Sequence, residues 1–371
     1  MPKTWMPMIA LAVIVALVLC VGTRLWASGQ AASITGPTHL KSDGSGRVYV
    51  GLSDRLLVFS EDGDFMERIP LSRFGVDELV GDFWVDGPEI LLRAPLPEGS
   101  IARTLRVLLR IGDHGSDQAA DGQAVLQQCS LTNGSCRPFA PQFRSTRTFR
   151  LWKERESGAM LVSDTAQHRL VRLQADGTIE AASPPSFKFP NALQIGQDGL
   201  LYVADTNHNR VVAVNPATDD FAEKKHDFRV NTAGSAPGKV WPTGLAQAQD
   251  GALWVINGNQ NVAYGDLMIY EPDGSFRNKV DQPAGADPSA LLAVKNLMLV
   301  ADAAQFEIRT FDLGGRYLRT FGGKDLLQEM TELKNSKAHF QAISTTAFLL
   351  LIGLSLAAVW LYQKAQRKGL V

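Results

Sequence analysis

Aspartates recur along this chain in one setting. Asp164 and Asp205 each close a Val-x-Asp run and are followed five residues later by Arg169 and Arg210. Asp302 recurs in the same way, with Glu307 in the arginine's place. Acids gathered round one axis can hold a cation or polarise a ligand. An acid that accepts turn amides, with an arginine reaching a neighbouring repeat, is instead a structural joint. A catalytic group is needed once and a joint in every repeat, so recurrence favours structure for all of these positions. A second set is small and polar: Thr38, Asn191, Thr243 and Ser289 each follow a proline that opens a repeat. With Asp205 they form the candidate binding set, expected at the mouth of a central channel to bind a ligand or order water. His168 aligns with Asn209 and not with His208, so the two histidines are not equivalent and both read as loop residues. Trp84, Trp152, Trp241 and Trp254 are expected to pack between repeats. No Gly-rich phosphate loop, serine elbow or basic-aromatic stripe occurs. No Cys/His cluster has zinc spacing, so neither a metal site nor a cofactor is assigned.

Cys129 and Cys136 bracket Ser-Leu-Thr-Asn-Gly-Ser, which reads as a turn between two strands. A two-residue Asn133-Gly134 turn would set Cys136 opposite Leu131. A four-residue loop 131–134, with Gly134 left-handed, sets the cysteines directly opposite. The second register permits a disulfide, which an oxidising compartment favours; the alternative is two free buried thiols.

The elements that must position these residues are repeated. Pro, an apolar strand, a turn (often Asp-Gly), a second strand, a polar loop and two further strands recur from Gly36, Phe189, Trp241 and Asp287. A fifth copy runs from Ser157 to Glu180. A sixth, swollen by insertions, fits between Val80 and Phe143, with strands in 89–96, 104–112 and 124–131. Four short strands per repeat of 40–50 residues is the signature of a propeller blade. The expectation is an all-β, six-bladed propeller over 36–323, following a linker at 24–35.

Two apolar runs flank it. Residues 5–23 and 342–362 hold no charged side chain, and each is long enough to cross the hydrocarbon layer as a helix. For the first run the alternative is a cleaved signal peptide, but its length exceeds a signal h-region. Residues 324–341 space Leu326, Met330, Leu333 and Phe340 on one helical face. The tail 363–371 carries Lys364, Arg367 and Lys368 and no acid, which places it in the cytoplasm; residues 1–4 with Lys3 join it there. The propeller is then outside the cytoplasm, in the periplasm of a Gram-negative cell, with both termini inside. Thirty-seven basic and 38 acidic residues leave a net charge of −1, which offers no pull toward nucleic acid.

The segments Val203-Ala-Asp205-Thr-Asn-His208-Asn-Arg210-Val and Val162-Ser-Asp164-Thr-Ala-Gln-His168-Arg169-Leu resemble the NHL repeat, as does the lead-in Gly234-Ser-Ala-Pro-Gly238-Lys-Val-Trp-Pro242. The resemblance covers most of 150–323 and the first blade. It implies an NHL-like propeller. One enzyme group on similar repeats, the peptidyl-hydroxyglycine lyases, holds zinc with histidines just after blade-opening prolines. Here Thr38, Asn191, Thr243 and Ser289 stand at those positions, and His39 is one residue off. Related esterases and lactonases hold a divalent cation with Glu, Asp and Asn; Asn191 and Asp205 match in type, but no glutamate opens a blade. The reading is a membrane-anchored binding or scaffolding module, with a protein partner in an inner-membrane complex or a small ligand. The alternative is a metal-dependent lyase or hydrolase.

Overall fold

The second strand of nearly every repeat is buried on both faces, as in Met160–Asp164, Leu201–Asp205 and Leu253–Gly258. Such a strand must lie between two other sheets. The fourth strand is the opposite: Phe65–Pro70 and Tyr317–Thr320 are largely exposed. Each sheet therefore runs from an interior edge to a solvent edge, which is the layout of radially arranged blades. The computed structural model describes residues 5–95, 124–143, 148–230, 238, 240–259, 261 and 263–367.

Within these residues lie six four-stranded antiparallel sheets, each built from strands in chain order. The blades span 39–70, 83–138, 149–182, 190–229, 241–280 and 288–320. Their first strands neighbour one another in sequence order, and the sixth returns to the first. The fold is a closed six-bladed β-propeller. In the second blade, Glu89–Pro95 pairs directly with Ala124–Ser130. The strand expected at 104–112 thus does not lie between them, and that segment falls outside the described residues.

Each blade joint has a core of its own. Leu40, Phe83, Leu151, Leu193, Leu245 and Leu291 sit at corresponding inner-strand positions, and most are buried. Burying one such side chain contributes roughly 1.5–3 kcal/mol. Polar contacts then explain the recurring proline. The hydroxyl of Thr165 donates to the Pro190 carbonyl of the next blade at 2.7 Å, and Thr206 donates to Pro242 at 2.6 Å. Sixth to first, Ser289 donates to the Pro37 carbonyl at 2.6 Å, and the Gly36 amide donates to Ala303 at 3.1 Å. A Cβ on Gly36 would stand 2.7 Å from the Ala303 oxygen, so only glycine fits this approach. Lys295 pairs with Asp62, and Phe59 meets Phe321 edge-on across the same seam. No strand is exchanged there.

Cys129 and Cys136 are directly opposite and disulfide-bonded, with Gly134 left-handed in the loop between them. The four-residue register is the one adopted.

The remaining residues, up to 35 and from 328 on, form a separate unit. Helix α1 is Trp5–Ser33, so most of the expected linker 24–35 is helical. Helix α2, Gly323–Arg367, is uninterrupted and unites the stretches 324–341 and 342–362. In this unit the helices are antiparallel: Arg24 lies over the Phe348 ring, Ser28 bonds Ser344 at 2.7 Å, and Trp26 meets Phe340. Both helices are long and apolar enough to cross a membrane, and their outward faces, with Leu19 and Leu356, are apolar.

Candidate functional site

The expected binding residues are held at the strand entrances by contacts of their own, and Ser289 alone reaches the neighbouring blade. Ladder register slips between Pro190 and Ala192, between Pro242 and Gly244, and between Pro288 and Ala290. Asn191, Thr243 and Ser289 are the extra residues at those slips, so each is a β-bulge that re-aims the strand entrance. Their side chains are engaged. Asn191 donates to the Thr206 hydroxyl, and Thr243 reaches the Ile256 carbonyl at 3.4 Å. Ser289 bonds Pro37, while Thr38 contacts His39 Nδ1 at 2.9 Å.

The recurring acids tie turns to strands. Asp205 is fully buried. One oxygen accepts the Lys188 amide at 2.6 Å, and the other accepts Arg210 Nε and meets His208 Nδ1, both at 2.8 Å. Asp302 accepts the amides of Asp287, Ala304 and Gln305. Arg309, two residues beyond Glu307, approaches it at 3.5 Å. Asp164 pairs with Arg169. The arginines do not reach a neighbouring blade, as the spacing suggested: Arg210 bridges Asp205 and Asp227 inside its own sheet. The histidine alignment is visible in the backbone, because His168, Asn209 and Phe306 share the left-handed conformation four residues after each aspartate.

The inner strands also carry Lys41 and Arg150, with Asp82 just before one of them, which sequence reasoning left aside. Ladder partners fix which inner-strand positions correspond. His39 faces Gly51, Arg150 faces Ser163, Ala192 faces Ala204, Gly244 faces Ile256 and Ala290 faces Ala301. Asp82, preceding Phe83, completes this level in the second blade. Two residues on, the next level holds Lys41, Trp84, Trp152, Gln194, Ala246 and Leu292. Blades one to three thus present charge and indole, and blades four to six present small or neutral side chains.

Lys41 donates to buried Asp82 at 2.8 Å and to the Leu151 carbonyl of the third blade at 3.2 Å. Asp82 also accepts the Leu151 amide at 2.9 Å, capping an inner-strand edge. Burial opposes its ionisation, but Lys41, with His39 and Arg150, outweighs burial and holds the carboxyl below its ordinary range. His39 is bonded at both nitrogens: Nε2 donates to the Gly81 carbonyl at 2.7 Å, and Nδ1 faces the Thr38 hydroxyl. Desolvation drives its pKa down to about 4, against the pull of Asp82, so the ring is neutral near pH 7. Arg150 differs from the other ionic groups here. It donates to the Phe149 carbonyl and acts on Asp82 through charge without a direct ion pair among the described residues. Lys41 lies over the Trp84 ring, which in turn meets Trp152 edge-on at 5.4 Å. These two indoles pack, as expected, against the cores between the second and third and between the third and fourth blades, and Trp254 is fully buried. Two surface clefts are present, one at Trp84 with Glu89, Gln128 and Lys153, the other at His208 with Arg210, Asp227 and Arg229. In them Lys153 pairs with Asp86 and Arg210 with Asp227.

Among the described residues, no three His, Cys, Asp or Glu side chains converge as a metal-binding group. Asn191 and Asp205 do not supply one, since Thr206, Arg210 and the Lys188 amide occupy them.

Residues 151–315, the last four blades, match the family described as SMP-30/Gluconolactonase/LRE-like region. That is less than half of the chain. No curated protein matches by sequence. Among solved structures, the selenomethionine form of virginiamycin B lyase from Staphylococcus aureus aligns over 78% of this chain and 85% of its own, with TM-score 0.51 and 16% identity. A catalytically inactive form of that lyase with quinupristin covers 79% and 87%, with TM-score 0.50 and 16% identity. A protein provisionally assigned as a gluconolactonase covers 77% and 91%, with the same score and identity. Likeness at this identity establishes the fold.

Proposed function

We propose that this chain is a membrane-held binding module. Its two helices anchor it, the propeller lies outside the cytoplasm, and both termini lie within. One observation carries the reading: the blade-opening and repeated acidic positions are consumed in bulges and turn-to-strand contacts, while charged and aromatic side chains gather on one side, at the inner strands of blades one to three. Such a surface recognises a ligand or protein without positioning a reaction. The basic tail and the two long apolar helices support the topology. The match over 151–315 and the likeness to a lyase support a second reading, a metal-dependent lyase or hydrolase on the same fold.

Two experiments test the module. Reporter fusions after residue 371 and within 115–122 should read opposite sides of the membrane; the same side for both refutes the topology. Crosslinking from native membranes, followed by purification, should capture a reproducible partner in stoichiometric yield. Stoichiometric divalent metal in the purified chain, released by Asp205→Asn with unchanged melting, would overturn the module in favour of the enzyme.

A further inference from the structure

We infer that the cleft between the second and third blades takes a single lysine side chain of a protein partner, with the ammonium on Glu89 and the methylenes against Trp84 and Phe139. The inference rests on the binding-module reading and adds what the partner must present. Size comes first. The cleft has a volume of about 50 Å³, room for a few waters or the end of one side chain. Pockets for drug-sized molecules run to roughly 300–1,000 Å³. Its walls include Trp84, Leu91, Phe139 and Met160, where the core between these blades reaches the surface. Such walls suit the apolar stem of a long charged side chain, which buries its methylenes and keeps its head among polar groups.

Charge names the head group. The cleft is lined by two acids, Asp86 and Glu89, and one base, Lys153, which Asp86 already holds. Glu89 is half-buried and meets no cation among the described residues. Its Oε2 accepts the side-chain amide of Gln128, and the oxygen of that amide accepts Arg137 at 3.0 Å. Arg137 thus fixes the amide so that a neutral N–H points at Glu89, while Oε1 of Glu89 carries no bond among the described residues. A partly desolvated carboxylate held only by a neutral donor gains most from an added positive charge. One open oxygen calls for a compact single-point donor, which an ammonium is; the guanidinium fork is matched to both oxygens of a carboxylate.

Saturation-transfer NMR on the full chain in detergent tests this with the tripeptide acetyl-Gly-Lys-Gly-amide, its side-chain-acetylated form and the arginine analogue. Saturable binding of the lysine peptide is expected, at least about fivefold tighter than either of the others and weakening as salt is raised. Glu89→Gln should weaken it by at least about fivefold while the melting temperature holds. A photoreactive diazirine on the peptide's acyl end should label the wild-type chain within 84–91, 128–139 or 153–160, a readout that stands even if Glu89→Gln folds poorly. Absence of saturable binding overturns the inference, as does equal binding of the acetylated or arginine peptide, a Glu89→Gln chain that binds normally, or label confined to other segments. Crosslinked capture of a native partner is scored without peptide. A partner captured equally by wild type and Glu89→Gln removes the lysine assignment and leaves the module reading standing.

Discussion

Replacing Asp205 with asparagine isolates what the repeated acids do. The substitution keeps size and leaves an oxygen for the Lys188 amide, so that 2.6 Å bond can persist. The other side changes sign: a carboxylate oxygen that accepts Arg210 Nε at 2.8 Å becomes an NH2 facing an N–H donor. Breaking one partner of a buried ion pair costs about 3–5 kcal/mol. Arg210 keeps Asp227 at 2.7 Å, which puts the expected loss at the lower end, about 3 kcal/mol. At about 2 °C per kcal/mol for a domain of this size, the melting temperature should fall by roughly 6 °C. Thermal unfolding of the full chain in detergent, followed by circular dichroism, reads it. Arg210→Met should cost less, because His208 still meets Asp205. The double variant should fall short of the sum by at least about 1 kcal/mol, since the two residues share one interaction. Asp205→Asn melting within about 1 °C of wild type, or strictly additive losses, would refute the joint.

Acid sensitivity should trace to His39. Its folded pKa, about 4, lies below the ordinary 6.5, so between these values the unfolded chain binds more protons and stability rises with pH. Up to about 3 kcal/mol should be lost on going from pH 6.5 to 4, and His39→Gln should flatten that part of the stability profile. Thiol labelling of the unfolded, unreduced chain should modify Cys20 alone; labelling of all three cysteines would contradict the Cys129–Cys136 bond. Removing that bond should cost roughly 2–3 kcal/mol in the chain-entropy account, read as a lower melting temperature of Cys129→Ser with Cys136→Ser.

The fold was legible because its signals are local and repeated. Proline, Asp-Gly turns and Val-x-Asp runs mark blade boundaries whatever surrounds them, and the Cys129–Cys136 pairing follows from loop length. The second blade was legible only in part, since the long insertion between Pro95 and Ala124 hid which strands pair. The axial site was obscured for another reason. Thr38, Asn191, Thr243 and Ser289 carry visible polar groups, but a bulge turns three of them back onto the fold, and sequence does not announce a bulge. Arg150, Asp82 and Lys41 look unrelated along the chain. They align only when Leu40, Phe83 and Leu151 are set as one core layer, and the charged residues are counted from it.

The seam between the first and sixth blades closes without a shared strand, and this bears on how the ring is made. Every ladder is completed within a single blade, and even the widest connection pairs Glu89 with Ser130, only 41 residues away. Contacts between blades are confined to side-chain packing and a few hydrogen bonds, so no ladder has to wait for a distant part of the chain. A chain emerging amino end first can therefore finish each sheet as it appears, with no edge held open for a returning strand. Unpaired edges are what make slow β-folding prone to aggregation. On the proposed topology, in which the propeller crosses a membrane as an extended chain, the unlatched seam lets assembly proceed vectorially, one blade at a time.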